Sequence, residues 1–238
     1  MLGQFLEVSI TTRDIRASVE FYESLGFTQC VTADVWPHSY GVVTDGRIHI
    51  GLHQYQFPSP ALTFVLPGIA KHVAGFVALG IELAFAKTDE DSFNEIGFRD
   101  PAGQMLTLLE ARTFSAGERA EQQISRCGWF AEYSIPSADF ERGKQFWERL
   151  GFIALDEAES GYVYQPLTSD GLSIALHRPR TQDRPMLVFR DSNTRSHLAQ
   201  LRTQGVAVSG DLPRGLDSAA NGLIESPEGT LLLLLEEP

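Results

Sequence analysis

The chain has few basic residues and few cysteines, and it lacks low-complexity segments. Lysine and arginine contribute 19 of its 238 residues, against 31 aspartates and glutamates, so the formal net charge is −12. A protein that binds the nucleic-acid backbone needs clustered basic side chains, and we therefore expect no nucleic-acid partner. The two cysteines, Cys30 and Cys127, are predicted to be free thiols in a reducing cytoplasm.

Long apolar runs are also missing. A membrane-spanning helix needs about 20 apolar residues, whereas the apolar run at residues 231–235 has only the length of a strand. The first residues carry neither the basic region nor the apolar core of a signal peptide. Together these absences predict a cytoplasmic protein with no membrane partner. No phosphate-binding glycine loop, Ser-His-acid arrangement or cysteine-rich metal pattern is present either.

What the sequence does contain is a long internal repeat. The segments FLEVSI and FYESLGF, at residues 5–10 and 21–27, return as FAEYSI and FWERLGF at 130–135 and 146–152. Asp14 and Asp139 keep the same offset of 125 positions. Ten identical residues recur in the same order without a gap, which indicates a tandem duplication.

Each half is predicted to contain two β-α-β-β-β units. Leu6, Val8 and Ile10 alternate with polar residues as in a half-buried strand, and Asp14 is a natural helix N-cap. Asp45-Gly46 is a hairpin signal, and Asp170-Gly171 is its counterpart. The sequence therefore predicts an α+β fold of four units. The predicted domains are residues 1–112 and 127–238, joined by a polar linker at 113–126.

The pattern resembles a known superfamily. The helix-end motif is joined by closing motifs at residues 100–110 (DPAGQMLTLLE) and 226–236 (SPEGTLLLLLE). Together these motifs resemble the vicinal oxygen chelate superfamily of glyoxalases, bleomycin-resistance proteins and extradiol dioxygenases. The resemblance implies two tandem glyoxalase-like domains with cup-shaped mixed sheets and with the helices outside the cups.

The resemblance also implies where a metal would bind, and the residues there are incomplete. Family ligands on the first strands fall on Glu7 and Glu132, which are candidate catalytic carboxylates or metal ligands. His53 and His177 are the candidate imidazole ligands. The remaining positions carry residues that cannot hold a divalent ion in the expected way: Gly51, Ala61, Thr107, Ala175, Pro185 and Leu233.

The sequence leaves three functions open, and with them whether the chain is an enzyme. The leading hypothesis is a protein that binds a small organic molecule, such as an aromatic one, without a tightly held metal. The first alternative is a metal-dependent lyase or extradiol-type dioxygenase. Such an enzyme would hold one divalent ion, Zn, Ni, Fe or Mn. In one version, units pair across the duplication and Glu7, His53, Glu132 and His177 share one Zn, Ni or Fe ion. The second alternative is a non-catalytic interaction protein with filled cups.

Several further residues are candidates for contact with a ligand. The first cup is expected to be the roomier, because Gly51, Ala61 and Thr107 are smaller than their counterparts in the second half. A homodimer is a candidate assembly. The candidate ligand-binding residues are Phe5, Ser9, Trp36, His38, His53, Thr107, Phe130 and His177.

Overall fold

The computed structural model describes residues 2–32, 36–89, 93–111, 125–159 and 161–237. The predicted linker at 113–126 lies outside these residues except for Ser125 and Arg126, so the domain boundaries remain a prediction. Within the described residues, no helix is both long and apolar enough to cross a membrane.

The first half forms one mixed sheet with two helices. Its eight strands lie in the order β2-β3-β4-β1-β5-β8-β7-β6. The elements are β1 (Gln4–Thr11), α1 (Ile15–Ser24), β2 (Thr28–Cys30), β3 (Tyr40–Thr44), β4 (His49–His53), β5 (Ala61–Val65), α2 (Ile69–Ala78), β6 (Leu83–Lys87), β7 (Glu95–Arg99) and β8 (Met105–Leu109).

The second half repeats this sheet with one additional short strand. Its main path is β10-β12-β13-β9-β14-β17-β16-β15, with β11 paired to β12. Because each sheet is built from one half of the chain, neighbouring units pair with each other and not across the duplication. The elements are β9 (Trp129–Pro136), α3 (Phe140–Arg149), β10 (Ile153–Ala154), β11 (Ala158–Glu159), β12 (Val163–Thr168), β13 (Ser173–His177), β14 (Met186–Asp191), α4 (Thr194–Thr203), β15 (Val208–Ser209), β16 (Gly222–Glu225) and β17 (Leu231–Glu236).

The duplicated motif explains the start and end of the two equivalent helices. The side chain of Asp14 accepts a hydrogen bond from the backbone N–H of Ala17, and that of Asp139 accepts one from Arg142. Gly26 follows α1 with φ +92°, a left-handed conformation that favours glycine. The predicted caps are confirmed at both positions.

The register of the central strands brings the site residues into one row and corrects one prediction. Antiparallel pairing of β1 with β5 places Glu7 opposite Thr63, and parallel pairing of β5 with β8 places Thr63 beside Thr107. The sequence alignment had put Ala61 at the position of Thr63, but Ala61 pairs with Ser9. The pairing is regular from Glu7 to Ser9, so Thr63 and not Ala61 is the residue that faces Glu7.

The second sheet has the same row and needs the same correction. Glu132 lies opposite Val188, and Val188 lies beside Leu233. The sequence alignment had assigned Pro185 to the position that Val188 occupies. The pairing is regular from Met186 to Val188, which makes Val188 the residue that faces Glu132.

The two halves meet on the helix-bearing faces of their sheets. A single cluster of buried apolar side chains includes residues of both halves, and the rings of Phe27 and Phe189 lie 6.2 Å apart within it. Hydrogen bonds cross the same boundary: Trp147 Nε1 donates to Asp100 Oδ2 at 3.3 Å, and Tyr133 donates to Gln104 at 2.9 Å. The interface therefore combines a continuous core with a few buried polar contacts.

Asp100 should make the stability of this interface depend on pH. Burial raises the pKa of Asp100 to about 6, above an unfolded value of about 3.9. The contribution of Asp100 to the free energy of unfolding is then fully present below about pH 4 and is lost as the pH rises through about 6. Relative to Asp100→Asn, we expect the wild-type free energy of unfolding to fall by about 2 kcal/mol between about pH 4 and about pH 7. Denaturant titrations of both proteins measure this difference, and a constant difference across that range would contradict the expectation.

Candidate functional site

The first sheet carries a cavity of about 610 Å³ on the face that holds Ser9, Thr63 and Thr107. The size is that of a pocket for a small organic ligand. Its walls are mainly aromatic and apolar, and polar groups are grouped among them. The apolar lining includes Trp36, Phe57, Phe85, Phe93, Met105 and Leu109, and the polar lining includes Ser9, His38, His53, Thr63, Lys87, Glu95 and Thr107.

The carboxylate of Glu7 lies behind this lining and is almost fully buried, with 1% of the residue exposed. Its Oε1 accepts hydrogen bonds from Ser9 Oγ at 2.7 Å and from His53 Nε2 at 2.9 Å. Its Oε2 accepts one from the Tyr40 hydroxyl at 2.5 Å. Because all three partners donate, the carboxylate can stay ionised in a buried position.

A glycine makes room for this carboxylate. A Cβ at Gly51 would lie 2.1 Å from Glu7 Oε1, far inside any allowed contact. The alignment to the superfamily had treated Gly51 as a lost metal ligand, and the structure gives it a positive role. In the second sheet the equivalent residue is Ala175, and there Glu132 turns to Arg190 Nη2 at 3.1 Å.

His38 extends the hydrogen-bond chain from Glu7 to the cavity. His38 Nε2 and His53 Nδ1 are 3.0 Å apart. The ring of His38 stacks on Trp36, with centroids 5.3 Å apart, and on Tyr55, with centroids 5.1 Å apart. Burial, together with the neighbouring His53, lowers the pKa of His38. Trp36 and His38 also border an outer groove that runs past the start of α1.

The second cup is filled by side chains. Leucines of β17 form part of its buried cluster. Glu132 is 9% exposed and pairs with Arg190, which also donates to Tyr164 Oη at 3.2 Å. Burial raises the pKa of Glu132. The cluster consists of Tyr162, Met186, Val188, Leu223, Leu231, Leu233 and Leu235, with Tyr164, Leu212 and Leu216 packed against it.

His177 is held as a neutral ring inside the second sheet. Its Nδ1 lies 2.8 Å from Ser134 Oγ, and its Nε2 lies 2.9 Å from the carbonyl oxygen of Gln182. The carbonyl can only accept, so Nε2 carries the proton. Burial lowers the pKa of His177 to about 4. Both ring nitrogens are therefore engaged within the protein.

The donor sets do not fit a tightly held divalent metal. In the first cup, Glu7 accepts three hydrogen bonds, both nitrogens of His53 are bonded, and the row continues as two threonines. The described residues contain no group of three histidine, cysteine, aspartate or glutamate side chains placed to hold an ion. Glu7 and His53 belong to one sheet and Glu132 and His177 to the other, so the predicted four-ligand site does not form.

Two predicted ligand-binding residues face the core instead of the cups. Phe5 packs edge-to-face on Phe64 with ring centroids 5.4 Å apart, and Phe130 packs on Phe189 at 5.7 Å. The register irregularity in each first strand breaks the simple alternation that had placed these rings beside Glu7 and Glu132. Of the other candidates, His177 is enclosed in the second sheet. Those that line the first cavity are Ser9, Trp36, His38, His53 and Thr107.

Sequence reasoning missed several residues that shape the cavity. Tyr40 is not among the predicted site residues, and its hydrogen bond to Glu7 depends on the pairing of β3 with β4. Phe85 lies over Gly97, where a Cβ would be 2.2 Å from the ring. The glycine in the middle of β7 was the available signal, since such glycines often mark the close approach of another group.

Comparisons with known proteins place the fold. No family model and no curated protein sequence matches the chain. A solved catechol 2,3-dioxygenase aligns with a TM-score of 0.60 and 15% identity over 97% of this chain and 86% of its own. Homoprotocatechuate 2,3-dioxygenase from Arthrobacter globiformis aligns with a TM-score of 0.58 and 17% identity over 97% and 78%. A 2,3-dioxygenase from Pseudomonas sp. KL28 gives 0.59 and 13% over 97% and 90%.

At these identities the likeness concerns the fold. It extends over both sheets and over the four helices of the described residues, because each alignment covers 97% of the chain. The predicted resemblance and fold class are thereby confirmed. The chain shares the fold of these solved 2,3-dioxygenases.

Proposed function

We propose that the protein binds a small, planar organic molecule in the first cup and that binding needs no tightly held metal. The observation that supports this is the 610 Å³ cavity, with its aromatic walls and its group of polar side chains. Ligand sites are commonly apolar pockets in which a few polar groups set the orientation. The first cup has both features, whereas the cluster in the second cup fills the equivalent space.

The lining indicates what kind of molecule fits. The rings of Trp36 and Phe93 have centroids 5.3 Å apart, and both border the cavity, so a flat apolar body can pack against them. The hydroxyls of Ser9, Thr63 and Thr107 offer hydrogen bonds to a polar end. The ligand we propose is therefore an aromatic or similarly flat molecule with one polar group.

Charge favours a neutral ligand. The cationic side chain at the cavity, Lys87, is paired with Glu95 at 2.5 Å. The carboxylate of Glu7 lies behind the polar lining, and the whole chain carries a net charge of −12. The negative potential from these charges would repel an anionic ligand, whereas it would not repel a neutral molecule.

The solved neighbours favour a second candidate, a 2,3-dioxygenase of the extradiol type. Their fold matches this chain over nearly its whole length. The first cup does not favour a dioxygenase, because the neighbouring positions at which metal ligands are expected hold Glu7, Thr63 and Thr107. The interaction-protein alternative fits the second cup, which is filled, but not the first. Within the proposed function, the second half acts as a scaffold, and the protein works in the cytoplasm with both cysteines as free thiols.

Metal content separates the two leading functions. We expect protein purified without chelators or a metal-affinity tag to contain no near-stoichiometric Fe, Mn, Ni or Zn by elemental analysis. The physical reason is that fewer than three free ligands leave an ion weakly bound and easily lost. The proposal would be contradicted if the protein held one equivalent of such a metal per chain and a chelator removed both the metal and the affinity for the ligand. That result would favour the dioxygenase.

A substitution that gives the first cup a side chain of the second cup should fill the cavity. Thr107→Leu introduces the side chain that Leu233 has in the filled cup, and we expect it to weaken the binding of 1-naphthol at least about tenfold, or about 1.4 kcal/mol. Isothermal titration calorimetry measures the dissociation constant. The matched control is Thr203→Leu, on the exposed surface of α4, which should bind like the wild type. Equal loss in both variants, or no loss in Thr107→Leu, would show that the cavity is not the binding site.

A further inference from the structure

We propose that the first cup contains a metal-independent proton acceptor, His38, which is oriented and polarised through His53 by Glu7. This inference rests on the proposed function, because the reactant must first occupy the cavity. It goes further by assigning a reaction type, the removal of a proton from a bound carbon acid. The hydrogen-bond chain occupies the part of the cup in which the superfamily resemblance implies a metal.

The direction of the chain follows from its buried end. Glu7 Oε1 can only accept, so His53 Nε2 carries a proton and donates it at 2.9 Å. In neutral His53 the other nitrogen, Nδ1, is then an acceptor. At 3.0 Å it accepts from His38 Nε2–H, which leaves Nδ1 of His38 unprotonated. The chain thus presents a basic nitrogen on the imidazole farthest from the carboxylate.

His38 is the member of the chain that is free to act. Both nitrogens of His53 are occupied, and Glu7 accepts three hydrogen bonds. His38 lines the cavity, and within the described residues its Nδ1 has no hydrogen-bond partner. Stacking on Trp36 and Tyr55 fixes the plane of its ring. Positioned bases of this kind contribute about 10²–10⁴-fold to the rate of a proton transfer.

The second half provides an internal comparison. The strand registers match Tyr40 and His53 with Tyr164 and His177, 124 residues later, so Tyr162 takes the place of His38 and the repeat does not include this imidazole. The equivalent of Glu7, Glu132, pairs with Arg190, and the equivalent of His53, His177, bonds Ser134 and a backbone carbonyl. Neither of the two hydrogen bonds of the relay has a counterpart there. The relay is therefore a property of the first cup and not of the fold.

The step that this geometry supports is simple to balance. A C–H bond of the reactant breaks, its proton goes to Nδ1 of His38, and the electron pair moves to an electron-accepting atom of the reactant. The resulting imidazolium is stabilised through His53 by the negative charge of Glu7. The reactants suited to it are flat carbon acids activated by an electron-withdrawing group. The base is regenerated when His38 returns the proton to product or to water, so no oxidant is needed.

The relay can be tested with 5-nitrobenzisoxazole, a flat and neutral carbon acid. Removal of its C–H proton breaks the N–O bond and leaves a cyanophenolate that is measured by its absorbance. We expect the wild-type protein to accelerate this reaction with saturation kinetics, above free imidazole at the same concentration and without effect of a chelator. His38→Gln should lower kcat at least about tenfold. The matched control is His72→Gln, an exposed histidine on α2, which should react like the wild type.

Two further measurements separate positioning from folding. Glu7→Gln removes the negative charge and should lower kcat while leaving KM nearly unchanged, since Glu7 lies behind the lining. In His38→Ala, added imidazole should restore part of the lost rate by occupying the vacated space. A His38→Gln variant that keeps the wild-type rate, or a wild type that binds the probe without accelerating its reaction, would overturn the relay and leave the binding function standing. If calorimetry detected binding of neither the probe nor 1-naphthol, the proposed function itself would fail.

Discussion

The first cup depends on one constraint, the burial of an ionised carboxylate. An uncompensated charge in the position of Glu7 would cost several kcal/mol, so the sheet must supply donors to both oxygens. Ser9, Tyr40 and His53 do this from three strands, β1, β3 and β4, whose order follows from the β-α-β-β-β unit. Gly51 leaves the space in which the carboxylate lies. The polar part of the site therefore follows from the need to supply hydrogen bonds to one buried carboxylate.

The same fold meets the same demand differently in the second half. There Ala175 replaces the glycine, Glu132 turns to a guanidinium, and leucine and valine fill the face that threonines leave open in the first cup. A repeated backbone thus carries two unlike interiors. The difference arises from a few side chains along one row of each sheet, and not from any change in strand order.

The duplication, the fold class and the helix caps could be predicted from the sequence, because they depend on local patterns that occur twice. The sequence also indicated several of the residues that line the cavity, since alternation and proximity in the chain place them near one face. They are Ser9, Trp36, His38, His53 and Thr107. The rings of Phe5 and Phe130 were misplaced, because a register irregularity is set by pairing with a distant strand and leaves no local signal. The hydrogen bonds around Glu7 join residues up to 46 positions apart, so no spacing rule could reveal them.

The filled second cup has a consequence for how the protein can change over evolution. An open cavity forgoes packing free energy, and the chain can tolerate this loss when its other half is densely packed and shares a continuous core with it. Substitutions around the cavity then alter which molecules fit while the folded state keeps a reserve of stability. The packed copy can then serve as a stable base, while side chains around the open cavity can vary at little cost to folding.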